Sequence, residues 1–185
     1  MNDYFEGETY SSFDPSVGRA EFVECRFQGV DFTAVNMSHF KFLDCEFTDC
    51  NFSNISLKST HIRSGVFKKC KLIGLNWVEA SNASGCSFAE CVLDYSVFQG
   101  MSLKGAVFKE CRLTEADFYE AALMKADFSG SHLKGAVFNR ANISEADFRG
   151  AKEYFIDVRE TTVKKAKFSV PEALSLLSSL DIVID

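Results

Sequence analysis

Proline, tryptophan and long apolar stretches are all scarce in this chain. Its 185 residues include two prolines and one tryptophan. No apolar run approaches about 18 residues, the length that a membrane-spanning helix needs. The first residues, MNDYFEGETYSSFD, are polar and acidic, which argues against a secretory signal with an apolar centre. The sequence therefore predicts a cytoplasmic protein without membrane contact, and its length is usual for one domain.

Motifs that carry chemistry are missing as well. There is no glycine-rich phosphate loop, no nucleophile paired with a base, and no CxxC or Cys/His spacing for a metal. The three histidines, His39, His61 and His132, fall on different turns of the repeat described below, at positions that face outward. We therefore expect a protein that is not an enzyme, with no catalytic residue, no metal site and no cofactor.

What the chain does contain is a five-residue repeat, which is most regular over residues 106–148. Each unit has a small residue, any residue, a large apolar residue that we name the centre, and two further residues. A helix, at about 100° per residue, would turn successive centres by roughly 140°, and a strand would alternate them between two faces. A chain that turns a corner in every unit keeps all centres inside, which predicts a solenoid. The centres of this stretch are Phe108, Leu113, Phe118, Leu123, Phe128, Leu133, Phe138, Ile143 and Phe148.

A second period of twenty residues predicts four units, and so four sides, per coil. Side 1 is all phenylalanine, which explains the 19 phenylalanines of the chain. Coils joined by strand-like hydrogen bonds lie about 4.7 to 4.9 Å apart, a distance at which these rings can stack along one wall. The centres of side 1, named the core ladder, are Phe27, Phe47, Phe67, Phe88, Phe108, Phe128, Phe148 and Phe168. Side 2 carries Phe32, Phe52, Leu72, Leu93, Leu113 and Leu133; side 3 carries Met37, Leu57, Trp77, Phe98, Phe118 and Phe138; side 4 carries Phe22, Phe42, Ile62, Leu103, Leu123 and Ile143.

Three departures from the unit carry expectations of their own. The single step of 21, from Phe67 to Phe88, predicts one extra residue in a bulge or small turn near residues 81–86. Phe40, Ile55 and Leu75 are large where the unit wants a small residue, so the first coils should bend or widen. Glu153 takes a centre position, and because a buried carboxylate is costly, we expect Tyr154 or Phe155 to turn inward instead.

All seven cysteines fall at the small inward position of a unit. An odd number argues against a disulfide framework, so we expect them to be small buried apolar side chains. They are Cys25, Cys45, Cys50, Cys70, Cys86, Cys91 and Cys111.

The two ends differ from the repeats of residues 17–168. Residues 1–16 lack a full unit, and we expect them to cap the open core. Residues 169–185 predict a short C-terminal α-helix followed by an apolar tail. Its apolar face could simply cap the solenoid or could also pair two subunits, and we favour a homodimer. The candidate dimer contacts are Leu174, Leu177, Leu180, Ile182 and Ile184.

The repeat units resemble those of the pentapeptide repeat family. ADFYE, ADFSG, ANISE and ADFRG match its A(D/N)Lxx unit almost letter for letter, and the resemblance extends over roughly residues 17–168. It implies an all-β solenoid, a right-handed quadrilateral β-helix. The C-terminal VPEALSLLSSLDIVID and the segment LNWVEAS are similar to segments of members that protect DNA gyrase, namely the Qnr quinolone-resistance group and the microcin immunity protein. That similarity implies a type II topoisomerase as partner and a dimer contact near the C-terminus.

Charge tests the idea, implied by the family, of a rod that imitates DNA. Eight coils give a rod of about 38 Å, over which duplex DNA carries about 22 charges. The net charge of −6 therefore predicts only partial mimicry, through local patches. The candidate partner-binding acidic side consists of Glu79, Asp117, Glu120, Asp157 and Glu160, and a further acidic patch is expected from Glu21, Glu24, Asp31, Asp44, Glu46 and Asp49. A basic cluster comprises Lys58, Arg63, Lys68, Lys69 and Lys71, but the acidic pI argues against direct nucleic-acid binding.

The sequence thus leads to a non-enzymatic protein that binds gyrase and protects against, or modulates, poisoning by a quinolone or a peptide toxin. The alternative is a pentapeptide repeat scaffold with a different protein partner. The long projecting loops of some Qnr members have no counterpart here, which weakens the drug-protection part of the first hypothesis.

Overall fold

The chain winds into a right-handed, four-sided parallel β-helix of about eight turns, and the predicted fold class is confirmed. The computed structural model describes residues 3–14, 16–180 and 182. Its strands are β1 (Asp3–Glu6), β2 (Thr9–Tyr10), β3 (Ala20–Val23), β4 (Arg26–Gln28), β5 (Lys41–Leu43), β6 (Glu46–Thr48), β7 (His61–Arg63), β8 (Val66–Lys68), β9 (Asn82–Ser84), β10 (Ser87–Ala89), β11 (Val107–Lys109), β12 (Asp147–Phe148) and β13 (Lys167–Phe168).

Two parallel sheets follow the repeat. Side 1 consists of β2, β4, β6, β8, β10 and β11, continued by single bridges to β12 and β13, and side 4 consists of β1, β3, β5, β7 and β9. Residues twenty apart are in register, as in the pairing of Phe27 with Phe47. The centres of the sides meet on the axis of the helix, where they form one continuous core.

The core ladder of side 1 is a continuous stack of rings. Neighbouring rings have centroids 4.7 to 5.3 Å apart and planes within 19° of parallel. Side 3 stacks in the same way from Trp77 through Phe98 and Phe118 to Phe138. The two stacks meet edge to face, as between Phe108 and Phe118, an arrangement that aromatic rings favour.

Most corners of the coil are turned without glycine. At most corners the residue two positions after a centre has a left-handed backbone, and 17 such residues outside glycine, Asp49 and Glu110 among them, have φ between 53° and 71°. This conformation costs an ordinary residue roughly 1 to 2 kcal/mol. The buried centres and the hydrogen bonds between coils must therefore impose the turn, because the local sequence does not favour it.

The extra residue of the chain lies at the start of the predicted segment. A short 3₁₀ helix, Trp77–Glu79, begins at Asn76, whose side chain accepts a hydrogen bond from the amide of Val78. The amide of Ala80 donates to Trp77 just as that of Thr60 donates to Leu57, a step of twenty, whereas Asn82 already pairs with His61, a step of 21. Ser81 is therefore the extra residue, and it lies in the bulge that was predicted near residues 81–86.

Backbone pairing is complete on two sides and interrupted on the other two. Sides 1 and 2 are bridged from coil to coil throughout, whereas side 3, in the part of the chain that the structure describes, has no bridge between Met37 and Leu57, between Leu57 and Trp77, or between Phe138 and residue 158. Each unbridged step of side 3 involves a β-branched residue, Val35, Ile55 or Ile156, at the small position. Beyond Trp77, where the coils of side 3 are bridged, the small position holds serine or alanine. On side 3, a β-branched side chain at the small position thus coincides with coils whose backbones do not pair.

The N-terminal segment continues the solenoid before it closes the core. β1 and β2 pair with β3 and β4 as an incomplete first coil. The chain then crosses the open end, where the ring of Phe13 lies 5.3 to 6.4 Å from the rings of Phe22, Phe27, Phe32 and Phe40. Residues 3–14 therefore combine a partial coil with an aromatic plug.

At the C-terminal end, Tyr154 turns inward with 4% exposure, while Phe155 stays 59% exposed. The terminal helix, Glu172–Leu180, is a 3₁₀ helix and not the predicted α-helix. Its sequence, EAL-SLL-SSL, repeats every three residues, which matches the 3.0 residues per turn of a 3₁₀ helix. Ala173, Leu176 and Ser179 can therefore share the face towards the last coil. None of the helices in the described residues has the length and apolar character of a membrane span.

Candidate partner-binding surfaces

The candidate acidic side follows side 3 of the β-helix in register. Asp117 and Asp157 flank centre positions of side 3, Glu120 and Glu160 occupy the next corner, and Glu79 ends the first 3₁₀ helix. The register is shown by the bridge from Asp117 to Val137 and by the hydrogen bond from the amide of Glu120 to the carbonyl of Asn139. The β-helix therefore gathers on one side five carboxylates that are spread over 82 positions of the sequence.

Most of these carboxylates already have partners on the same side. Glu120 lies 3.4 Å from Arg140, and Asp157 lies 2.6 Å from Arg159. Both the amide and the guanidinium of Arg159 donate to Asp157, and they lower the pKa of its carboxyl group to about 2. Two guanidinium groups against five carboxylates leave three charges without a cation, so the acidic side is a mixed polar surface.

Neutral donors hold the other three carboxylates. The amides of Asn139 and Asn76 donate to Glu160 and Glu79 at 2.8 and 3.3 Å, and the side chain of Gln99 donates to Asp117. Arg140 also lies 5.8 Å from the centroid of the Tyr119 ring. Fixed neighbours of this kind orient the carboxylates outward without removing their charge.

The basic cluster is not one patch in space, whereas two of the N-terminal acidic residues are neighbours. Four units make one coil, so Lys58, Arg63, Lys68 and Lys71 lie on different sides, but Glu24 and Asp44, twenty residues apart, occupy the same corner of neighbouring coils. Many of the acidic and basic residues pair with the neighbouring coil. The pairs are Glu21 with Lys41 at 3.0 Å, Asp44 with Arg63 at 2.9 Å, Glu46 with Arg26 at 3.3 Å and Glu90 with Lys69 at 3.8 Å. These ion pairs join neighbouring coils. The basic residues do not form a single patch, so that prediction was wrong, and the N-terminal acidic patch stays a prediction.

The C-terminal helix exposes an apolar stripe. Leu174 and Leu180 are 51% and 42% exposed, Leu177 between them is half-buried, and Ile182 beyond the helix is 51% exposed. Residues three apart eclipse in a 3₁₀ helix, so the three leucines lie in one line. Ile184, the last of the candidate dimer contacts, lies outside the described residues.

The cysteines are free and buried. Six of the seven thiols donate to a main-chain carbonyl of the preceding coil at 3.3 to 3.6 Å. The described residues contain no group of side chains that could hold a metal ion. His39 and His61 line a shallow cleft of about 240 Å³ together with Arg19 and Lys41, while His132 lies 3.8 Å from Glu153.

One feature was not predicted from the sequence, a crevice between the coils on side 4. It opens where Ala83 takes the position that Ile62 and Leu103 occupy in the neighbouring coils. The small residue in an otherwise large column was the available signal.

A four-sided parallel solenoid built on a five-residue unit defines a repeat protein. The particular family follows from the sequence profile described as "Pentapeptide repeat region", which matches residues 20–98 and 81–148, and the chain belongs to this family. No curated protein sequence matches it.

Solved structures with the same fold include two of QnrB1, described as a plasmid-mediated fluoroquinolone resistance protein. A trypsin-treated variant form has a TM-score of 0.66 and 18% identity over 100% of this chain and 99% of its own. The full-length form has a TM-score of 0.50 and 19% identity over 98% and 99%. HetL, a pentapeptide repeat protein of heterocyst differentiation regulation from the cyanobacterium Nostoc, has a TM-score of 0.34 and 16% identity over 90% and 86%.

Proposed function

We propose that this protein binds a type II topoisomerase, DNA gyrase in the first place, and protects it from, or modulates, poisoning by a quinolone or a peptide toxin. The observation that carries the proposal is the match to QnrB1 along the whole of both chains, from the first coil to the terminal helix. At 18% identity that match concerns the fold. The step to gyrase rests in addition on the similarity of the C-terminal segment and of LNWVEAS to gyrase-protecting members.

In this proposal the protein acts by occupying a surface, without catalysis. The acidic side runs from Glu79 to Glu160, four coil steps or about 19 Å, over which duplex DNA would carry about 11 charges. Three uncompensated carboxylates make it a partial mimic at most. Shape, stiffness and a few placed charges would supply the recognition, and a net charge of −6 disfavours direct nucleic-acid binding.

Purified protein added to gyrase supercoiling and cleavage assays, with and without ciprofloxacin, tests this function. We expect supercoiling to be partly restored, or cleavage to be reduced, in the presence of the drug. If neither activity changes in either condition, the topoisomerase proposal is wrong, and a scaffold for another protein partner becomes the better account.

A matched pair of variants tests the acidic side itself. Glu120→Gln changes a corner of side 3, and Glu110→Gln changes the equivalent corner of side 1, where the backbone is also left-handed. Only the first should weaken the effect on gyrase, by about fivefold for one surface charge. Equal effects of both variants would remove side 3 from the interface.

We also propose that the leucine stripe of the terminal helix pairs two subunits. Leu177→Asp and Leu174→Asp place a charge in this stripe and should give a smaller particle in light scattering. Val66→Asp is the control, because Val66 is an equally exposed apolar residue, at 47%, on side 1. An unchanged mass for both leucine variants would contradict a dimer through this helix.

A further inference from the structure

One step of the solenoid on side 4 lacks its hydrogen bonds. The sheet of side 4 ends at β9, and among the described residues no hydrogen bond joins residues 82–85 to residues 102–105 of the next coil. One coil later the same positions are paired, with the amide of Leu103 donating to Ala122 and that of Gly105 to Met124, at 2.9 and 2.8 Å. The adjoining side 1 is also closed, since Ser87 pairs with Val107.

The unpaired step opens as a crevice of about 260 Å³. Gly85, Cys86 and Ser87 form its lower wall, and residues 102–107 form its upper wall. Leu103 and Cys86 are each 8% exposed, more than any other buried apolar residue of the core. The cause lies in the sequence, because Ala83 is too small to fill the column between Ile62 and Leu103, and the extra residue, Ser81, displaces the chain just before it.

The hydrogen bonding of Cys86 is also weaker at this unpaired step. Its thiol reaches only the carbonyl of Ser84, at 3.9 Å, and it is the one cysteine without a carbonyl partner in the preceding coil. Burial raises the pKa of this thiol to about 11. The Cys86 thiol should therefore react slowly but measurably with a thiol reagent, and the rate of this reaction reports access to the crevice.

Two strand edges face each other across the crevice. In the register of the neighbouring coils, the amides of Ala83 and Gly85 would donate to the carbonyls of Ser102 and Lys104. Without those bonds, each wall offers unpaired main-chain groups along about three residues. An unpaired edge of this kind is the surface to which an extended peptide adds as a strand.

The lining of the crevice carries charge of one sign. Lys104 is the only charged side chain of the lining. From this coil onward, side 4 and the corner that follows it carry Lys104, Lys125, Lys164 and Lys165, and the one carboxylate among them, Glu145, lies 3.7 Å from Lys125. Glu120 and Glu160 lie at the other corner of side 4. An incoming peptide with carboxylates would meet three cations that have no acidic partner on this side.

We propose that the crevice lined by residues 85–87 and 102–107, together with the unpaired edge of residues 82–85 beside it, binds an extended acidic peptide segment of a partner protein by strand addition. The main chain of the peptide occupies the unpaired edges, and its carboxylates lie against Lys104 and the lysines above it. This site is independent of the topoisomerase proposal, since it is on side 4 and not on side 3.

The probe is the capped peptide acetyl-EVTVE-amide, titrated into ¹⁵N-labelled full-length protein up to millimolar concentration. We expect amide shifts confined to residues 82–86 and 102–105. Acetyl-KVTVK-amide should bind at least fivefold more weakly, and the acidic peptide N-methylated at both valines should not bind, because it cannot bond to one of the two edges. Equal binding of the N-methylated peptide, or shifts elsewhere only, would overturn the proposal.

Point variants provide a second test of where the peptide binds. Ser102→Phe obstructs the mouth of the crevice, while Ala122→Phe, one coil later where the backbones are bridged, is its matched control. Lys104→Glu should weaken binding of the acidic peptide about fivefold, and Lys164→Glu, in the same column three coils away, should do so less. If Ser102→Phe and Ala122→Phe bind the peptide equally well, the site is not the crevice.

The native thiol supplies a readout without labelling. Bound peptide should slow the modification of Cys86 by a small thiol reagent at mildly alkaline pH, and Cys86→Ala should abolish the signal. Unchanged reactivity at a peptide concentration that saturates the amide shifts would contradict the proposed location.

Discussion

The N-terminal coils, residues 17–77, and the C-terminal coils, residues 106–148, share one register but differ in how they are held together. In the C-terminal coils small residues accompany every centre, and all four sides are bridged. In the N-terminal coils aromatic centres are denser and bulky residues occupy small positions, while side 3 lacks bridges along these described residues. Stacked centres therefore define the coil, and backbone pairing can be absent from one side without loss of the fold.

The largest expected effect comes from breaking the stack in the regular half. Phe128 lies 5.0 Å from Phe108 and 4.9 Å from Phe148, fully buried. Phe128→Ala should lower the free energy of unfolding by about 4 kcal/mol, the usual cost of such a cavity. Urea denaturation followed by circular dichroism measures this loss.

The same variant tests whether the halves unfold together. Because each coil contacts only its neighbours, a weakened C-terminal half can melt first. Trp77, the single tryptophan, lies at the end of the N-terminal coils, and its fluorescence should then change at higher urea than the circular dichroism. Coincident transitions would show that the halves form one cooperative unit, and a loss below about 1 kcal/mol would contradict the importance of the stack.

A smaller effect is expected from exchanging the small position between the halves. Ala116 is fully buried beside a bridged step of side 3. Ala116→Ile should cost about 1 to 3 kcal/mol through overpacking and should speed hydrogen exchange of the amides of Asp117 and Phe118.

The reciprocal change, Ile55→Ala, is the control for this exchange. It should slow amide exchange on side 3 of the first coils, if the branched residue is what keeps them unpaired. Faster exchange in Ile55→Ala, or unchanged exchange in Ala116→Ile, would show that branching does not govern the pairing.

The smallest effect concerns an ion pair found in the C-terminal half. Arg159 lowers the pKa of Asp157 to about 2, whereas Asp31 in the N-terminal half receives its main hydrogen bonds from Thr33 and has no arginine two residues on. A depressed pKa adds stability above the unfolded value, near 3.9, and this stability is lost as the pH falls towards 2. Arg159→Gln should raise the Asp157 pKa measured by NMR titration and leave that of Asp31 unchanged, and an unmoved Asp157 would contradict the assigned cause.

The sequence predicted what depends on periodicity and missed what depends on packing in one place. Phe128 and its ladder partners follow from a fixed step that any residue in the column obeys. The crevice next to Ala83 does not follow from that step, because it requires a small centre and the extra residue Ser81 to act together. The five carboxylates of side 3 were found because their spacing follows the coil, whereas the basic residues from Lys58 to Lys71 lie close in sequence and are distributed around the rod for the same reason.

The left-handed corners have an evolutionary consequence. Their conformation is imposed by the two inward residues of each five-residue unit, so the residues at the other three positions can vary while the coil is preserved. Glutamate, lysine, serine and arginine already take turns there. Surface residues of this β-helix can therefore change during evolution and create new binding surfaces while the fold is kept.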